Sequence, residues 1–182
     1  MISASESQTK IVLVRYGAIP EVARFRWSLG EEPQRGQSVV ALTHHGLLTG
    51  TVLESVNPNH DPHGEKEIDF EVVRISTDED RQTGTELSKR ASGEFDTWLS
   101  HLERWRVDVH LLELEWTLDE SKLIIYVLCD RGPESTKLAI QAAAEGLGPV
   151  EVQPVDREGL VSMPSGGGGC GSGGCGSGGC SH

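Results

Sequence analysis

The residues best suited to chemistry sit at the end of the chain, where Cys170, Cys175 and Cys180 fall five apart in GGGGCGSGGCGSGGCSH and His182 follows. Thiolate is a soft donor and imidazole a borderline one, and three thiolates with His182 or the terminal carboxylate as a fourth ligand make a set that zinc or an iron–sulfur cluster takes. The Gly-Ser-Gly-Gly spacers let the thiolates converge on one ion, but nothing preorganises them, so closing the loops costs conformational entropy. Segments this rich in glycine are more commonly solvated, disordered tails. Both readings stay open. Cys129 ends the apolar run LIIYVLC and reads as a core residue rather than a further ligand.

The other candidates are thinner. His60 and His63 in NHDPHG could share a metal with Asp61, although a proline-rich loop is more commonly a bare linker. His44 and His45 would point to opposite faces of an extended chain, which argues against one shared ligand. His101 and His110 stand alone on or beside amphipathic segments and read as structural. Glu113 and Glu115 share one face of an alternating stretch and could pair as acid and base, but no nucleophile accompanies them, so a solvated strand edge is the simpler reading. The chain has no phosphate loop, dinucleotide fingerprint, nucleophile elbow or metalloprotease motif, which disfavours an enzyme.

Charge narrows the partners. The 182 residues carry a net charge of -12. The first 60 hold five acids and five bases, so the whole excess of acids lies after them. An acidic body repels phosphate backbones and argues against tight independent binding to nucleic acid. If RNA is touched, the N-terminal bases Arg15, Arg24, Arg26 and Arg35 are the candidates. The longest apolar run, Leu123 to Cys129, is far below the roughly 20 residues a membrane helix needs. The start, MISASESQTK, does not read as a secretory leader, so a cytoplasmic location is expected.

The elements that must position these residues follow from periodicity. KIVLVRY is strand-like, and EVARFRW alternates so that Ala23, Phe25 and Trp27 share one face and Arg24 and Arg26 the other. SVVALT and LLTGTVLES flank His44-His45-Gly46 as a hairpin. Residues 10–56 are thus expected to form a small, curved β-sheet or barrel. NPNHDPHGEKE, residues 57–67, reads as a linker. Beyond it IDFEVVRI is a strand, and Thr77 followed by three acids is a helix N-cap. Leu87, Ala91, Phe95, Trp98, Leu102 and Trp105 then form one apolar stripe. VHLLELEWT and KLIIYVLC make a second hairpin, Glu134 to Glu145 a second helix and VEVQPV a last strand. The order β-α-β-β-α-β predicts a ferredoxin-like unit over residues 68–158, with the continuously apolar LIIYVLC central and the alternating VHLLELEWT at an edge. Residues 159–182 are left as the Gly/Ser/Cys tail. The fold class expected is α+β.

RGQSVVALTHHGLLTGTV, then FEVVRISTDEDRQ, then LELEWTLDESKLIIYV, in that order over about residues 10–130, resemble the YaaT-type regulators, also called RicT, which are defined by the PSP-one C-terminal domain and are bacterial. The resemblance implies a non-catalytic regulatory protein. It implies complexes with small helical partners, an iron–sulfur cluster in some members, and an influence on RNA processing by a membrane-bound endoribonuclease and on developmental phosphorelays. Two departures stand out: ESTKLAI occupies the place of an Asp-Phe-Arg element, and the cysteines lie in a glycine repeat rather than in a compact motif with adjacent pairs. The functional expectation is therefore a regulatory adaptor, with a metal or iron–sulfur protein acting through the tail, or an RNA-binding module, as alternatives.

Overall fold

Alternation of apolar and polar residues turns the first part of the chain into a barrel wall. The structure, a computed structural model, describes residues 10–56, 70–129, 133–157 and 159–161. Five strands, β1 (Lys10–Tyr16), β2 (Glu21–Trp27), β3 (Ser38–Thr43), β4 (Gly46–Val56) and β5 (Phe70–Ile75), close in the order β1-β2-β5-β3-β4. Val12, Val14 and Tyr16 from β1, Phe25 and Trp27 from β2, Val39 and Ala41 from β3, Leu48 and Val52 from β4 and Val72 from β5 fill the interior. Glycine is required where β4 closes on β1: a Cβ on Gly50 would lie 2.6 Å from Cγ1 of Val14 and 3.1 Å from the Arg15 carbonyl oxygen. The pairing of β1 with β4 shifts register at Leu13/Val14, beside this close approach.

The second half follows as α1 (Asp78–Trp105), β6 (His110–Trp116), β7 (Leu123–Leu128), α2 (Pro133–Ala144), β8 (Val150–Asp156) and a short β9 (Gly159–Leu160). The sheet runs β6-β7-β8-β9, with β6 antiparallel and β8 parallel to β7. Ile124, Tyr126 and Val155 on one face join the barrel core, while Leu123, Ile125, Val127 and Val152 on the other pack under the helices. β7 is buried on both faces, which is why its sequence is apolar without alternation.

α1 starts at a capping box. The Thr77 hydroxyl accepts from Asp80 N at 3.1 Å, the Asp80 carboxylate accepts from Thr77 N at 3.0 Å, and Arg74 donates to Asp80 at 2.6 Å. The Arg74 guanidinium and the Thr77 N–H hold the Asp80 carboxyl down at about 2. The first turns of α1 lie against the barrel at Gly84, where an added Cβ would sit 3.7 Å from Cγ2 of Thr49. Further along, Ala91, Trp98 and Leu102 reach the second core, with Phe95 and Trp105 packed at its margin. Among the described residues no helix is long and apolar enough to cross a membrane.

The α+β class, the N-terminal barrel, both helices and the edge and internal positions of β6 and β7 are as expected. The ferredoxin-like unit needs a correction. Its expected first strand, β5, pairs with β2 and β3 in the barrel, and β8 lies directly beside β7. The reason is physical: β5 buries Val72 but exposes Val73 and Arg74 at least in part, so it suits a one-sided barrel wall rather than a position buried on both faces. The stretch read as a linker, residues 57–67, lies outside the described residues.

Candidate functional site

The seam between the barrel and the second sheet gathers the ionisable groups. The turn between β3 and β4 carries His44 and His45 beneath β7 and β8, and the Leu118 N–H donates to the Leu47 carbonyl at 2.8 Å to fasten the two halves. His45 is 1% exposed, and its Nδ1 lies 2.7 Å from Oε1 of Glu151. Lys122 Nζ donates to the other carboxylate oxygen at 2.6 Å. Burial alone would raise the Glu151 carboxyl, but the hydrogen bonds from His45 and Lys122 outweigh it and hold the group down at about 2. A carboxylate accepts, so Nδ1 of His45 carries the proton.

The two imidazoles are neighbours rather than opposites, with ring centroids 3.7 Å apart, and His44 stacks on Phe70 at 5.6 Å. Alternation does not govern them because both stand in the turn, not in a strand. Burial, then the adjacent His45, lowers the His44 pKa and favours its neutral form.

A second set of groups lies beside the first. Tyr126 donates to Oε2 of Glu115 at 2.7 Å, and the Ala18 N–H donates to the same oxygen at 2.9 Å. Tyr16 donates to Glu21 at 2.7 Å. Burial foremost, with the carboxylates beside them, pushes both phenols well above the ordinary tyrosine range. Burial also raises Glu115 against the pull of its two donors. Glu115 is therefore not the solvated edge group its alternating strand suggests: the β1–β2 turn covers that side of β6. Glu113 shares its strand but is half-buried and bonds to its own neighbour's N–H at 3.2 Å.

Chemically this seam is a joint. Each carboxylate is engaged by at least one donor, and Nε2 of His45 is closed off from solvent with no partner among the described residues. Beside the seam lie a cavity of about 230 Å³ with Glu115, Leu87 and Trp116 in its wall and an adjoining open groove of about 780 Å³ between β1, β4 and α1.

The expected site residues fall in different places. Arg15 on β1 and Arg24 and Arg26 on β2 share the outer barrel wall, since β1 and β2 pair with Leu13 opposite Arg24 and Ile11 opposite Arg26. Arg24 is half-buried, Arg26 is exposed, and Arg35 is exposed in the loop before β3. Cys170, Cys175, Cys180 and His182 lie outside the described residues, as do His60 and His63. Among the described residues no three His, Cys, Asp or Glu side chains group as a metal site. Cys129 is half-buried at the margin of the second core. The His45–Glu151 pair escaped sequence reasoning. The only local hint is that Glu151 and Gln153 alternate with apolar residues in VEVQPV.

The class that emerges is an α+β protein with a closed five-stranded barrel joined through a polar seam to a helix-backed second sheet. No protein-family model matches the chain, and neither a curated protein nor a solved structure matches it.

Proposed function

We propose that the protein is a non-catalytic regulatory adaptor of the cytoplasm that works through protein–protein complexes, with partners that bear on RNA processing or developmental signalling, as the resemblance to the YaaT/RicT regulators implies. One observation carries the reading. Leu42 on β3 and Val73 on β5 stand on adjacent strands of the outer barrel wall and are 45% and 40% exposed. In the register Leu42 lies opposite Glu71 and Val73 falls at the shift between Val72 and Arg74, so two exposed apolar side chains stand on neighbouring strands, which suits contact with another protein. The seam supports the same reading, because Glu115 and Glu151 are spent on holding the two halves together, accepting from the Ala18 N–H and from His45 of the barrel.

The test is affinity purification of the full chain at physiological salt, comparing wild type with the Leu42→Lys, Val73→Lys double variant. The expected outcome is a set of stoichiometric proteins retained by wild type and lost by the variant, with unchanged thermal melting. The same proteins recovered with both forms would count against this surface and the adaptor role built on it.

A further inference from the structure

The groove between β1, β4 and α1 is lined by cations and by no carboxylate among the described residues. It is about 780 Å³, within the range of small-ligand sites. The chain carries 28 acidic residues, yet the described residues of this wall include Arg15, Arg81 and Lys89 and no carboxylate. Arg81 is committed: it pairs with Asp78 and donates to the Ser76 carbonyl at 3.2 Å. Arg15 and Lys89 have no ion-pair partner among the described residues, whereas Arg74, Arg90, Arg104, Lys122 and Lys137 each pair with a carboxylate.

The remaining wall fits an anionic ligand. Thr51 and Ser88 bring hydroxyl groups, and the Thr85 hydroxyl, which donates to the Arg81 carbonyl at 2.8 Å, can still accept. Hydroxyls can donate to phosphoryl oxygens and also pair with ligand hydroxyls. Arginine supplies a planar fork for two oxygens of one phosphoryl group, and lysine a compact point charge. We infer that this groove binds a small phosphorylated, hydroxyl-bearing molecule of the sugar-phosphate class, held by Arg15 and Lys89. A polyanion such as RNA fits less well, because the net charge of -12 repels it and Arg26 and Arg35 do not line the groove. The inference is independent of the adaptor role. A ligand here touches the barrel and α1 together, across the contact at Gly84 and Thr49.

The experiment is calorimetric titration of the full chain at 150 mM chloride with ribose 5-phosphate, inorganic phosphate, ribose and a single-stranded RNA 12-mer as probes. Saturable binding of ribose 5-phosphate is expected, tighter than that of inorganic phosphate, with none for ribose. Each of Arg15→Gln and Lys89→Gln should weaken it by about tenfold or more, as loss of a charge-assisted hydrogen bond does. Arg26→Gln, on the outer wall away from the groove, should leave it unchanged. All three side chains are exposed, and a melting curve checks that each variant is folded. Three results would overturn the inference: no saturable binding of the sugar phosphate by wild type, equal binding by the Arg15→Gln, Lys89→Gln double variant, or RNA bound more tightly than the sugar phosphate and lost in Arg26→Gln.

Discussion

Nδ1 of His45 and Oε1 of Glu151, 106 positions apart in the chain, meet at 2.7 Å and tie the barrel hairpin to strand β8 of the second sheet. The Glu151 carboxyl lies at about 2 in the folded protein against 4.5 for the free group. A depressed acid contributes stability that is present in full above the unfolded value and is lost as pH falls through the folded one. Glu151 therefore contributes up to about 3 kcal/mol above pH 4.5, decaying towards pH 2. Glu151→Gln should melt lower than wild type at pH 7, with the two curves converging between pH 4.5 and 2. Curves that run parallel through that window would show that the pair does not couple to folding.

Glu115 behaves in the opposite sense. Its raised carboxyl is a penalty at neutral pH that is relieved as pH falls through the folded value towards 4.5. Both of its donors, Tyr126 and the Ala18 N–H, converge on one oxygen, and a glutamine oxygen can accept both. Glu115→Gln should therefore be neutral or stabilising at pH 7. Glu115→Ala should lose about 1–3 kcal/mol by leaving the Tyr126 hydroxyl and the Ala18 N–H without an acceptor. Urea denaturation of the two variants separates the cases, and equal losses would contradict the geometry.

Two glycines predict opposite signs for the same change. Gly50→Ala pushes a methyl to 2.6 Å from Val14 inside the closed barrel and should cost about 1–3 kcal/mol. Gly84→Ala places its methyl 3.7 Å from Thr49, an ordinary contact, and gains up to about 1 kcal/mol of helix propensity in α1. Melting temperatures of the two variants that move in the same direction would mean that β4 and α1 do not meet the barrel as described.

The cysteine-bearing end can be tested by removal. Both cores are built from residues up to Leu160, so a chain ending at residue 164 should melt like the full one. Cys170, Cys175, Cys180 and His182 go with the deleted segment, and with them any zinc or iron that co-purifies under anaerobic conditions. Metal analysis of both forms is the check. Metal retained by the shortened chain would move the site to His60 and His63, and a metal-free full chain would favour the tail without a ligand role.

Local signals were readable where one element decides its own structure. Thr77 followed by Asp80 announces the capping box, the stripe through Leu87, Ala91, Trp98 and Leu102 announces the buried face of α1, and Gly46 after the two histidines announces the hairpin. The apolar run of β7 told of burial on two faces, which is correct because the barrel covers one side and the helices the other. The place of β5 was not readable: alternation shows that a strand has one buried face, not which sheet supplies its neighbours. Long-range pairing misled in the same way at Glu115 and His45, whose environments come from the β1–β2 turn and from β8. Pattern within a strand is silent about what packs on it.

The adaptor role is tested most directly at the outer barrel wall. A photo-crosslinking amino acid placed at position 42 or 73 in the full chain, expressed in its own host, should yield the same discrete protein adduct from both positions, and none from position 22, whose side chain is 55% exposed at the far end of β2. No adduct at 42 and 73, or the same adducts at all three positions, would contradict the account.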